Sequence, residues 1–285
     1  MWEHLQIELY KVFKRPRTYL SFAAITALIG VIQLGLLVDG KEYADFVMAD
    51  FANSFSVDGK ILNGYFICYV ILQLLLVHVP LLIALIAADM ISGEANMGTL
   101  RILLTKPQSR TAIVMAKFIA SVIYTLLLLI WIAIMGLFLS MLIFGTDDLF
   151  LMKSSYVVIV KESDVFWRYA GAFCFAALAM VTVAALGFFL SFFAENSIGP
   201  IVATMSVIIV CTILSTMNIP LFNLIKPYLF TTHMITWKEF FDFRVNDANE
   251  AIIGSIQYPD KIIRSATVLA IHIVLFVGSA VWLFR

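Results

Sequence analysis

Six stretches of this chain stay apolar for about 20 residues or more, separated by short polar links. No other feature limits the fold as strongly. In hydrocarbon every backbone N–H and C=O must be satisfied within the segment, so a run of this length is a helix. The runs are residues 19–38, 65–88, 111–144, 165–193, 198–217 and 265–284. With 62% hydrophobic and only 13% charged residues in 285, the chain is far more apolar than a soluble domain. The sequence therefore predicts an all-α polytopic membrane protein: six transmembrane helices in a single domain over 1–285.

Charge and cysteine usage remove several classes. Nineteen Lys and Arg balance nineteen Asp and Glu, so no basic footprint for nucleic acid exists. Cys68, Cys174 and Cys211 lie inside apolar runs without CxxC spacing and read as small hydrophobes, not metal ligands. The chain starts with a polar helical stretch rather than a cleavable leader.

The polar links carry the organisation. In residues 1–17, Trp2, Leu5, Leu9, Val12 and Phe13 recur at helical spacing, with Glu3, His4, Gln6, Glu8, Lys11 and Lys14 between them. This is an amphipathic interfacial helix. The basic group Lys14-Arg15-Pro16-Arg17 that closes it argues for a cytoplasmic N-terminus. Residues 39–64 and 145–164, rich in Asp and Glu, then fall outside. Residues 194–197 form a tight inner turn, and the C-terminus is cytoplasmic. Lys and Arg are nearly equal in number on the two sides, so the orientation rests on the short basic flanks. Residues 218–264 hold Pro220, Pro227 and Pro259 and no stretch long enough to span. They fit either re-entrant or interfacial helices buried against protein, or a structured outside loop.

Asp89–Arg110 is the most informative link. Ser92 is placed to cap a helix with Glu94 in its first turn. Met97, Leu100, Leu103 and Leu104 share one face, and Pro107 ends the helix. Ser109 can cap the next one, whose 34 residues exceed what a bilayer needs, so its first two turns with Lys117 are expected to stand in cytoplasm. Within the spans, Gln73 and His78 of residues 65–88 are polar and face either protein or a water-filled path. Pro80 suggests a kink there. Arg168, near the outer end of residues 165–193, is expected to snorkel to the headgroups.

Reactive chemistry is missing. No GxxxxGK[ST] phosphate loop and no HExxH or GxSxG occurs, and no carboxylate lies deep in a span. The chain is not expected to be an enzyme, and its energy is expected to come from a partner.

The residues Gly93-Glu94, Gly98-Thr99-Leu100-Arg101, Leu103-Leu104-Thr105, Pro107 and Ser109-Arg110 resemble the first cytoplasmic loop of ABC exporter permeases of the second, six-span class. Ala116-Lys117-Phe118 is similar to that family's entry into the third span. The resemblance implies a cytoplasmic coupling helix at 89–110. Glu94, Met97, Gly98, Thr99, Leu100, Arg101, Leu104, Pro107 and Arg110 would meet a separate ABC ATPase subunit, present in two copies and carrying the ATP and Mg. It also implies a second permease chain, forming a homodimer in the cell inner membrane. The path would lie at the dimer interface, lined by spans one, two and five, with Gln73 and His78 as polar candidates. Residues 218–264 are longer and more charged than that family's compact re-entrant hairpin. Two other readings stay open. One is a membrane subunit that moves no substrate and passes ATPase strokes to an extracytoplasmic partner. The other is a secondary transporter driven by an ion gradient.

Overall fold

The computed structural model describes residues 2–48, 60–99, 109–152, 157–217, 219–246 and 252–284. The described chain is predominantly helical, and six of its helices are long and apolar enough to cross a membrane. The protein is thus a multi-pass membrane protein.

Helix α1 (Trp2–Lys14) lies before the first span, α2 (Pro16–Met48). Proline fixes this junction. Pro16 takes the first helical position, where its missing N–H costs nothing, and disfavours helix at Arg15. The chain therefore turns at Arg15, aiming that side chain back at the bundle. The first span is longer than expected: α2 continues to Met48, well into what reads as an outside loop.

The second span, α3 (Gly64–Ala87), starts at an Asn63 cap whose side chain accepts from Phe66 N at 3.0 Å. A short helix, α4 (Ser92–Asn96), follows. The third span is one continuous helical path from Arg110 to Phe144. It comprises α5 (Arg110–Ala133), a π-helical turn over Ile134–Phe138, and α6 (Leu139–Phe144). Ser109 caps it as expected, accepting from Ala112 N at 3.3 Å.

The stretch expected to be an outside loop carries an antiparallel hairpin, β1 (Leu149–Met152) with β2 (Val157–Val160), Leu149 opposite Val160. The fourth span, α7 (Glu162–Leu190), and the fifth, α8 (Ile198–Thr216), follow. Residues 219–246 hold short 3-10 turns and one brief helix, α9 (Phe230–Met234), none able to span. The sixth span, α10 (Pro259–Phe284), starts six residues earlier than the apolar pattern suggests, since Pro259 opens the helix and Asp260 suits its first turn.

Helix α7 is the centre, packing on α3, α5, α8 and α10. Its buried residues include the small Ala172, Ala179, Ala184, Ala185 and Gly187, which let neighbouring helices approach closely. Polar bonds join the first and third spans at membrane depth. Gln33, buried, donates to the Met135 carbonyl in the π turn at 2.8 Å and to Ser140 Oγ at 2.9 Å. Trp131 donates to Thr26 Oγ1 at 2.9 Å. In hydrocarbon these groups have no water to turn to, so the bonds fix the pair's register.

At the end opposite α1, Arg168 does not reach outward as a snorkelling side chain would. It is 0% exposed. Its guanidinium pairs with Asp164 at 2.6 Å and donates to the carbonyls of Phe240 (2.7 Å) and Ser255 (2.9 Å). Asp164 in turn accepts from Gly254 N. One ion pair on α7 therefore pins two separate parts of the segment between the fifth and sixth spans. This is why the arginine faces inward: four hydrogen bonds to three protein partners outweigh what lipid headgroups offer. The described part of that segment is buried unevenly. Phe230, His233, Trp237 and Phe241 are buried, whereas the 3-10 turns over 220–228 bury none of their residues.

Removing one partner leaves the other charge buried and unpaired. Arg168→Met is expected to cost about 3–5 kcal/mol, read as a lowered thermal unfolding midpoint of the detergent-purified chain. Arg168→Met with Asp164→Leu should recover much of the loss; a double variant no better than the single one refutes the pairing argument.

Candidate functional site

At the α1 end the chain gathers charges from four stretches. Helix α1 gives Glu8 and Lys11, α4 gives Glu94, and the second turn of α5 gives Lys117. These form a closed ring of alternating charge. Glu8 meets Lys11 at 2.8 Å and Lys117 at 2.8 Å, and Glu94 meets Lys11 at 2.8 Å and Lys117 at 2.7 Å. Beside the ring, Asp89, in the turn after α3, accepts from Arg15 and lies 3.4 Å from Arg17.

Burial makes the ring strong. Lys117 is 0% and Glu94 4% exposed, so water screens neither. Burial opposes ionisation of Glu94, but the Lys117 charge and the hydrogen bonds from Lys11 and Lys117 outweigh it and hold the carboxyl below its ordinary 4.5. For Lys11, too, burial works against the charge, and the two glutamates overcome it, raising the amine above its ordinary 10.5. Two buried carboxylate oxygens, Asp89 Oδ1 and Glu94 Oε2, have no hydrogen-bond partner among the described residues.

Gly93 allows this geometry. A Cβ built there would stand 2.5 Å from Asp89 Oδ1, so any side chain would push the carboxylate off its arginines. Ser92 does not cap α4. Ile91 holds that position, and the Ser92 hydroxyl donates back to the Ala88 carbonyl at 2.8 Å, continuing the line of α3.

The residues expected to meet a partner divide into three groups. Glu94 faces inward and is spent on Lys11 and Lys117, so it is not at the surface. Met97 is 58% exposed, Gly98 turns the chain in the left-handed region at φ +70°, and Thr99 Oγ1 donates to the Glu94 carbonyl at 3.3 Å. Arg110 opens α5 in an exposed first turn. Leu100, Arg101, Leu104 and Pro107 lie outside the described residues. Lys117, in the second turn of α5, is sealed beneath α1.

Gln73 and His78 both lie on the exposed side of α3, with Leu74, Val77 and Leu81 between them around the helix. Gln73 accepts from Lys238 Nζ at 3.0 Å. His78 Nδ1 bonds the Leu74 carbonyl at 3.0 Å, which makes Nδ1 the protonated nitrogen in the neutral ring. Helices α2 and α8 flank α3, so two polar side chains sit on a membrane-depth face that this chain leaves uncovered.

The ring itself was not legible as a site. The i, i+3 pair Glu8–Lys11 reads as the wet side of an amphipathic helix, and Lys117 as a flank. The available signal was Lys117 standing alone in an apolar run. A lone cation there requires acids, and the nearest at that end are Glu8, Asp89 and Glu94.

Fold and site define a helical membrane protein whose N-terminal helix is tied by buried charge to the link between its second and third spans. The chain belongs to the family described as "Protein of unknown function (DUF2705)", which it matches over residues 22–285. It is also similar to "Uncharacterized protein YhcI" of Bacillus subtilis (strain 168), 29% identical over 119 residues. That match spans 40% of this chain and 37% of the relative.

Two outcomes follow from the ring. Lys117→Met leaves Glu8 and Glu94 sharing the single ammonium of Lys11, one buried negative charge in excess, and is expected to cost about 3–5 kcal/mol, measured as a drop in thermal midpoint; Lys117→Arg should recover part of it. The folded protein binds fewer protons at Glu94 than the unfolded chain. Its contribution is complete above pH 4.5 and is lost as pH falls through the lower folded value. An acid titration of the unfolding midpoint should therefore fall more steeply below pH 4.5 in the wild type than in Glu94→Gln, and equal slopes would contradict it.

Proposed function

We propose that the chain is the permease subunit of an ATP-driven ABC transporter, an exporter, of the cell inner membrane with both termini cytoplasmic. A separate ATPase, in two copies, binds the ATP and Mg and pushes on residues 89–110. Two copies of the permease pair as a homodimer within the surrounding lipids. The observation that carries this reading is the charge ring. A load applied to the link at 89–110 passes through Glu94 to Lys11 on α1 and to Lys117 on α5, and through Asp89 to the start of α2. A pushed link thus moves the first three spans together. Met97 and Gly98 supply the exposed surface for contact, and Glu94 stiffens that surface from behind. The uncovered face of α3, with Gln73 and His78, is where the second copy would close a path, with α2 and α8 as its walls.

A second reading has its own support. Arg168 ties the fourth span to the segment between the fifth and sixth spans, so motion of the bundle reaches that surface directly. In this version the chain moves no substrate and acts on an extracytoplasmic partner protein. Uptake assays in sealed vesicles separate the two.

The test uses a surface residue, so that folding and contact are not confused. Met97→Glu should leave the thermal midpoint of the chain within about 0.5 kcal/mol of wild type while lowering recovery of the co-expressed neighbouring ATPase about tenfold. Undiminished recovery and ATP turnover sink the contact role.

A further inference from the structure

A cleft of about 230 Å³ opens beside the ring, between the starts of the first and fifth spans. Its walls include Arg15, Arg17, Asp89, Asn96, Met97 and Ser197. We infer that it seats the phosphodiester headgroup of an anionic glycerophospholipid. This inference needs only that the chain spans a bilayer, and stands apart from any transport activity.

The charge balance sets the ligand's sign. Two guanidiniums face one carboxylate, leaving one net positive charge. Asp89 is held by Arg15. The Arg17 side chain is 51% exposed and sits at 3.4 Å from Asp89, beyond good hydrogen-bond length, so it can turn to a second anion without undoing the Arg15 contact. A planar guanidinium fork matches two phosphate oxygens. The side chains of Asn96 and Ser197 have no hydrogen-bond partner among the described residues, which leaves an amide and a hydroxyl to donate to the remaining oxygens.

Position sets the ligand's body. The cleft lies where two spans begin, the depth at which a bilayer places its phosphates. Just after the cleft residues in each span, Tyr19 and Leu20 on α2 and Ile198 and Val202 on α8 are exposed and apolar, available to acyl chains. Free phosphate would use the cleft but leave these residues uncovered. An acidic protein surface could reach the Met97 wall, but to occupy the cleft it would need the opposite wall to project beyond the headgroup layer as well, whereas Arg17 lies in the first turn of one span and Ser197 caps another. Lipid is the occupant both features fit.

The experiment titrates the detergent-purified full chain with diheptanoyl phosphatidylglycerol and follows its thermal midpoint. A saturable rise is expected, absent with diheptanoyl phosphatidylcholine and with inorganic phosphate at equal concentration. Arg17→Gln should weaken the half-saturating concentration about fivefold. Asn96→Ala with Ser197→Ala should weaken it further, and Lys226→Gln, on a distant 3-10 turn, should leave it unchanged. Equal responses to the zwitterionic lipid overturn the charge argument. A full response to inorganic phosphate reassigns the cleft to a free anion. Unchanged lipid response in both cleft variants, with loss of ATPase recovery in Arg17→Gln, reassigns it to a protein contact.

Discussion

A charge in a low-dielectric place is tolerated only when another charge answers it, and the rest of this structure depends on that constraint at its α1 end. Lys117 is the one charged residue of its helix beyond the opening Arg110, and burying its ammonium alone would cost several kcal/mol. Two glutamates answer it, one from the N-terminal helix and one from the link after the second span. Their excess negative charge is balanced by Lys11. The requirement of one lysine thus dictates where two other stretches sit. The same logic repeats at the far end, where Arg168 and Asp164 hold the segment before the last span. Between these two charged ends the bundle is held by packing of small side chains and by a few membrane-depth hydrogen bonds.

The two ends differ in what they hold. The Arg168 pair is a local contact on one helix that captures backbone from elsewhere. The ring joins side chains from three elements, so none of its members can shift without the others. A device that must transmit displacement needs the second kind of connection, since a force entering at one member is shared among all. A clamp that only has to hold a loop in place is served by the first.

How much of this was legible follows from what each signal measures. Apolar runs report burial in hydrocarbon directly, so the six spans are found within a few residues. Their ends are missed where polar residues continue a helix past the apolar part, as Asp39 to Met48 do in α2 and Pro259 to Arg264 do in α10. Side-chain periodicity assigns polar residues to the wet face by default. It therefore places Glu8, Lys11 and Glu94 outward, while their true positions depend on Lys117, more than a hundred residues from Glu8. Arg168 was misplaced for the same reason: its partners Phe240 and Ser255 offer backbone carbonyls, which leave no trace in a sequence. The Ser109 cap was found because its signal is local. Gly93 was visible as a glycine, but its reason, a carboxylate against its Cα, is a matter of tertiary structure.

The π-helical turn over Ile134–Phe138 has a bearing on how such chains can change length. In an ordinary spanning helix, losing one residue rotates everything beyond it by about 100° and turns buried faces to lipid. Here the turn already contains one residue more than an α-helix requires. A deletion within it would restore regular winding and leave Arg110–Ala133 and Leu139–Phe144 facing their present neighbours. The casualty would be the carbonyl that Gln33 reaches in the first span. The third span thus carries a spare residue at mid-membrane, and its length can drift there without disturbing either end.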